Sequence, residues 1–211
     1  MLKESMWFCV MHYSETKINE VREKVKDKYL NQFPDKMDRY YHIEGVAKLA
    51  KKLAKKNNVD ESEAEIAGLV HDYYKYESNE EMAKYIDKED LDECLACPVL
   101  FHSYSSANAL KDVFGIDNPE MKSAIKNHVF GKPNMTKLEE IILISDYCEE
   151  NRKYENCVKC REILLTKGIE EAIYFSTLKV IDFLKSKNIE PHHLQYEVLK
   201  EYERKINNGK N

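Results

Sequence analysis

An all-α fold is predicted for this chain by three observations. Only 6 glycines and 5 prolines punctuate its 211 residues, strictly alternating strand patterns are scarce, and apolar residues recur at i, i+3, i+4 and i+7 along most of its length. A chain of this size buries one good core, so a single main domain is expected.

The elements follow in order. Tyr40 to Lys56 carries Ile43, Val46, Ala47, Ala50, Leu53 and Ala54 on one broad face, with Asn57-Asn58 as its stop. His42 lies near the buried side of that helix. The next helix starts at Asp60, which caps free amides while Glu63 completes a capping-box-like pair. Ala64, Ala67, Gly68 and His71 form its stripe, and residues this small let the helix bearing His42 approach closely. The same helix is expected to run on through Asp72 to Lys75. Pro98 suits a first helical turn, and Leu100 to Phe114 carries His102 before Gly115 stops it. Pro119 begins a helix through Met121, Ala124, Ile125 and His128 that ends near Gly131. Thr136 with Glu139 is a second capping box, opening a helix that buries Leu138, Ile141, Ile142 and Ser145. Asp146 follows Ile142 by four, and a carboxylate flanking that stripe is costly to bury unless paired or metal-bound. Gly168 to Leu184 is amphipathic, and Pro191 precedes a last, polar helix.

The chain is 43% hydrophobic and 34% charged, with 33 basic against 38 acidic side chains and a net charge of -5. No global positive field exists to hold nucleic acid or an anionic membrane, so phosphate-binding charge must be local. The lysines at 48, 51, 52, 55 and 56 have no interleaved aromatics and read as a solvated helix face. The apolar run Met6 to Met11 is too short to span a membrane and lacks a cleavage site, which predicts a cytoplasmic protein. Six cysteines without a secretion signal are expected as reduced thiols. Cys94-x-x-Cys97 and Cys157-x-x-Cys160 would form a four-thiolate zinc site only if two distant pairs met, so ordinary buried thiols are the expectation.

The residues that carry chemistry are His42, the adjacent pair His71-Asp72, His102, His128 and Asp146. Imidazole and carboxylate suit borderline divalent metals such as Fe, Mn, Zn or Co, and two metals can share a bridging carboxylate. That arrangement hydrolyses phosphoesters and phosphoanhydrides. His192-His193 and His12 have no comparable support and read as surface residues.

The order His, His-Asp, His, His, Asp resembles the HD-domain phosphohydrolase superfamily, and five segments resemble the YqeK family within it. These are Arg39-Tyr40-Tyr41-His42, Ala67 to Lys75, Cys97 to His102, Ala124 to Met135, and Ile144 to Arg152. The resemblance runs from about Arg39 to Arg161, more weakly to about Leu199, and implies an HD-type helical bundle. It also implies symmetrical hydrolysis of diadenosine tetraphosphate, a dinucleoside polyphosphate, to two ADP. By the same resemblance His42, His71, Asp72 and Asp146 hold one iron. Asp72 also turns toward a second metal at His102 and His128, residues expected at the substrate as well. One or two divalent ions are therefore the expected cofactor, with Fe the metal that the resemblance implies.

Lys75, Arg39 and Arg152 are the cations expected on phosphate oxygens, Lys75 first among them as a catalytic residue beside Asp72. An ordinary helical ion pair is the other reading of Lys75. Gly131 is expected to let backbone approach the nucleotide. Val129-Phe130 replaces the family's two threonines, Lys132 its arginine, Ser145 its alanine and Glu150 its proline. Other readings are an HD phosphohydrolase of another nucleotide and a non-catalytic nucleotide-binding protein. The expected division is an extension at 1–14, one domain at 15–206 and a polar tail at 207–211, and apolar faces on the later helices predict a homodimer.

Overall fold

Ser14 opens the first helix, α1 (Glu15–Gln32), by accepting from Lys17 N, and Ile18, Val21, Val25 and Tyr29 lie buried along that helix. The computed structural model describes residues 12–208, and among them every regular element is helical. The apolar run at 6–11 and residues 209–211 lie outside the described residues. Among the described residues no helix is long and apolar enough to cross a membrane.

After a 3-10 turn at Pro34–Lys36 come α2 (Met37–Lys56) and α3 (Glu61–Val70), then the short α4 (Asn79–Ala83) and α5 (Lys88–Ala96). A second 3-10 turn at Pro98–Leu100 leads into α6 (Phe101–Asp112), followed by α7 (Pro119–Lys126) and α8 (Lys137–Cys148). The chain closes with α9 (Glu155–Thr166), α10 (Ile169–Ser186) and α11 (His193–Asn208). The last helix therefore enters the expected tail. Sequence periodicity does not resolve α1, α4, α5 or α9.

α2 packs along α3 at close range because Gly68 has no side chain: a Cβ there would stand 2.7 Å from Ala47 Cα. α8 lies against α2, α7 and α10, while α3 also meets α7 and α8. Ile43, Ile66, Leu69, Ile125, Ile141 and Ile142 are fully buried between these helices. Each contributes about 1.5–3 kcal/mol relative to exposure. Tyr202 of α11 donates to Glu140 of α8 at 2.5 Å, tying the C-terminal helix to the core.

Thr136 and Glu139 form the expected capping box. Asp60 caps α3 as expected by accepting from Ser62 N and Glu63 N. Glu63 returns no bond to it, because its Oε1 accepts instead from Asn118 at 2.8 Å.

Two helices end earlier than expected, and both breaks fall at site histidines. α3 stops at Val70, so His71, Asp72 and Lys75 lie on successive turns whose amides bond three residues back: Tyr73 N to Val70 O, Lys75 N to Asp72 O, Glu77 N to Tyr74 O. α7 stops at Lys126, before His128. At each break the imidazole serves as a cap: His71 Nδ1 donates to Gly68 O and His128 Nδ1 to Ile125 O, both at 2.7 Å. Carbonyls of a last turn have no partner within their helix, and these rings supply one.

Candidate metal centre

The two capping bonds fix more than the backbone. A ring whose Nδ1–H is committed to a carbonyl presents Nε2 as a bare lone pair, the form in which imidazole binds metal. Helix termini thus aim His71 and His128 from their own backbones. His42 reaches the same place from the second turn of α2, His102 from the first turn of α6, and Asp146 from the last turn of α8.

Asp72 is the hub. His42, His71 and Asp72 form one group whose potential ligand atoms all lie within 4.8 Å of one another, and Asp72, His102 and His128 form a second. Asp72 Oδ2 lies 3.5 Å from His71 Nε2, and its Oδ1 lies 3.3 Å from His102 Nε2 and 3.7 Å from His128 Nε2. Asp146 Oδ1 joins the first group, 2.9 Å from His42 Nε2 and 3.7 Å from His71 Nε2. Its side chain retains 23% exposure, so of these two carboxylates Asp72 is the fully buried one. Tyr29 of α1 donates to Asp72 O at 2.9 Å, which fixes the turn from the opposite side.

The residues fit a divalent cation. His71 Nε2 and Asp72 Oδ1 are both buried without a hydrogen-bond partner, a condition that costs about 1–3 kcal/mol for each group left unsatisfied. A cation in each group would satisfy them, His71 Nε2 on the side of Asp72 Oδ2 and Asp72 Oδ1 on the side of His102 and His128. Charge is arranged to match. Burial opposes the ionised form of Asp72, but His71 and Lys75 outweigh it and hold the carboxyl well below its ordinary range. Asp146 is likewise held low against its burial, by His42, His71 and Arg152. Burial, with Lys75 and His128 beside it, keeps His102 down at about 4 despite the Asp72 carboxylate, so this ring is neutral and ligand-competent at neutral pH. Burial also disfavours a second proton on His71, yet Asp72 and Asp146 raise that ring to about 9.

Three cations ring the carboxylates. Arg39 Nη1 donates to Asp72 Oδ2 and Arg152 Nη2 to Asp146 Oδ1, each at 2.9 Å. Lys75 Nζ lies 3.0 Å from His102 Nε2 and 3.8 Å from Asp72 Oδ1. All three expected phosphate ligands therefore stand at the site. Gly131 has a structural reason of its own: its φ is +69°, and a Cβ would press on Met135 Sδ and Leu143 Cδ2 at 3.2 Å. Lys132 is paired with Glu139 at 2.9 Å.

Two residues that sequence reasoning missed complete the centre. Glu149, fully buried at the end of α8, lies with Oε1 3.1 Å from His42 Nδ1. Gly45 of α2 makes room for it. The one sequence signal was a glycine inside an otherwise regular helix, three residues after a candidate ligand. Neither metal-compatible group contains a cysteine. His192 is not a free surface residue, since its ring stacks on Phe130 with centroids 4.6 Å apart. His12 pairs with Asp60 at 3.1 Å.

Two clefts open on the centre. One, of about 700 Å³, is lined by Arg39, Tyr41, His42, Arg152 and Tyr154 among others. The second, of about 260 Å³, is lined by His128, Phe130, Asp146, Tyr147, Arg152 and Thr177 among others. Arg152 borders both.

The HD domain family model matches residues 39–151, the span that contains every proposed ligand. The symmetrical bis(5'-nucleosyl)-tetraphosphatase of Bacillus subtilis (strain 168) is 34% identical over 152 residues, 71% of this chain and 81% of that protein. Its namesake in Staphylococcus aureus (strain NCTC 8325 / PS 47) is 31% identical over 183 residues, 85% of this chain and 93% of its own. A predicted HD superfamily hydrolase from Clostridium acetobutylicum, described as involved in NAD metabolism, shares the fold with a TM-score of 0.75 at 30% identity, over 87% of this chain and 97% of that one. With the His and Asp pattern, the helical scaffold and these relatives in agreement, the chain belongs to the HD-domain family and, within it, to the family of the symmetrical bis(5'-nucleosyl)-tetraphosphatases.

Proposed function

We propose that this chain hydrolyses diadenosine tetraphosphate at the middle of its phosphate bridge to release two ADP. The observation that carries the reading is one buried carboxylate, Asp72, shared by two histidine clusters beneath Arg39, Lys75 and Arg152. Relatives named for that activity supply the substrate.

His42, His71, Asp72 and Asp146 would hold one divalent ion, and Asp72, His102 and His128 a second; iron is our proposed metal, with Mn, Co and Zn compatible with the same donors. When bound, the metal lowers the pKa of water toward neutrality and offsets charge on phosphoryl oxygens. The protein's own cations hold the bridge. Arg152 borders both clefts while its Nη2 holds Asp146, which puts a guanidinium beside the bridge to donate to a phosphate oxygen. Lys75, beside the second cluster, counters charge that grows on the leaving phosphate. Water adds to one central phosphorus as its bond to the bridging oxygen breaks, and that oxygen becomes a terminal oxygen of the second ADP. No strong general acid is needed, because the leaving group is already a stable phosphate anion.

The two clefts, meeting at Arg152, give each nucleoside a side of the centre. Tyr41 and Tyr154 are exposed in the larger one and offer aromatic faces to a base. Phe130, where the family has threonine, walls the smaller one. Exposed Val158 and Leu165 on α9 and Phe183 on α10 support a homodimer as part of this reading.

The test is a product assay on the purified chain with Mn²⁺ or Fe²⁺. ADP as the only nucleotide product is expected, and Asp72→Ala should abolish it. ATP with AMP, or turnover confined to mononucleotides, would replace the reading.

A further inference from the structure

His42 differs from His71 and His128 in how its ring is held. His71 and His128 sit just past helix ends and use carbonyls three residues back, in the turn that precedes them. His42 lies inside α2, where preceding carbonyls are engaged in the helix, so its Nδ1 partner must come from another element. That partner is Glu149, whose Oε2 is in turn fixed by the backbone N–H of Asn151 at 2.6 Å. Arg161 pins the turn beneath, donating to Cys148 O and to Arg152 O, each at 2.9 Å, and to Glu149 O.

The cradle for this carboxylate is built into α2. A Cβ on Gly45 would stand 2.1 Å from Glu149 Oε2 and 3.0 Å from Asn151 Nδ2. Gly45 is not among the glycines of positive φ, so its backbone conformation does not call for glycine. Glycine inside a helix is disfavoured by about 1 kcal/mol relative to alanine. The helix gives up that propensity one turn after His42, and the space so created is filled by the carboxylate that touches His42.

We infer that Glu149, seated against Gly45, is a positioning residue that binds the Nδ1 proton of His42 and so turns its Nε2 toward Asp146 and the His71-Asp72 pair. The inference rests on the metal-centre reading and deepens it. Partners of this kind fix the ring's tautomer and raise the basicity of the ligating nitrogen, and their loss commonly weakens metal affinity about 10- to 100-fold.

The experiment is Mn²⁺ titration of the full-length chain, followed by electron paramagnetic resonance, for the parent, E149A, E149Q, G45A, H42A and the H42A/E149A double variant. Melting without metal is measured alongside. E149A should bind Mn²⁺ about 10- to 100-fold more weakly. E149Q keeps an acceptor oxygen and should recover part of that loss. G45A, which alters no ligand and improves helix propensity, should reproduce the E149A loss by displacing the carboxylate. The double variant should bind no more weakly than H42A alone. A folded E149A with parental affinity would overturn the inference, as would losses from H42A and E149A that simply add. If E149A does not fold, parental affinity in G45A overturns it instead. A parent that binds no Mn²⁺ would overturn both this inference and the metal reading beneath it.

Discussion

Arg152 touches Asp146 with one nitrogen and borders both clefts. That combination suits a guanidinium and defeats an ammonium, which cannot offer two fixed N–H groups at once. Arg152→Lys should therefore retain metal while losing one charge-assisted contact to phosphate, about 1.5–3 kcal/mol or roughly 10- to 150-fold in kcat/KM. Steady-state kinetics on the tetraphosphate beside elemental analysis checks this. Unchanged kinetics would place Arg152 outside the substrate path, and lost metal would make it a support for Asp146. The sequence is most informative at this scale: residue type and order point to six candidate metal ligands and three candidate phosphate cations, and the structure brings these side chains together. Glu149 escapes because a carboxylate near a helix end looks like any solvated charge, and only its 107-residue separation from His42, closed by the fold, reveals its partner.

At the scale of the element, the distance between α2 and α3 decides whether His42 and His71 can share an ion. Gly68 sets that distance, since an added Cβ would meet Ala47 Cα at 2.7 Å and Ala47 N at 2.9 Å, both backbone atoms that cannot rotate away. Gly68→Ala should lower stability by about 1–3 kcal/mol as the helices part, and should weaken Mn²⁺ binding because His42 moves with its helix. Gly115→Ala is the control. Its φ of +65° makes alanine strained, but nothing lies within 4 Å of the added Cβ, so a cost of about 1–2 kcal/mol is expected with metal affinity intact. Thermal melts and metal titrations on both variants separate the cases. The small-residue stripe Ala64, Ala67, Gly68 makes this close approach legible from the amino acids alone. The helix ends are not legible, because periodicity cannot show that an imidazole will cap the last turn: His71 and His128 continue the apolar spacing, yet each ring donates to a carbonyl three residues back and leaves the helix there. α1 is obscured for a related reason, its stripe of Ile18, Val21, Val25 and Tyr29 being diluted by charged neighbours.

For the whole molecule, the centre couples folding to protons and to metal. His71 is wholly buried, faced by Asp72 and Asp146 and by the rings of His42 and His128. Without metal its pKa rises from 6.5 to about 9, the carboxylates overcoming burial. A group whose folded pKa is raised contributes stability that is complete below the unfolded pKa and disappears as pH climbs through the folded one. The metal-free protein should therefore lose melting temperature between pH 6.5 and 9. Metal binding has the opposite slope, because the ion needs the neutral ring and the proton competes with it. A ligand bound only by the folded state adds about 2.7 kcal/mol at one hundred times its Kd, and this increment grows as the proton's competition fades. Melts at several pH values with chelator and with Mn²⁺ should thus diverge: the chelated curve falls across that window while the gap between the curves widens. Melting temperatures of the chelated protein that stay level or rise from pH 6.5 to 9 would show that the His71 proton is not held by the two carboxylates. A gap that narrows would show that the ion does not bind where that proton sits.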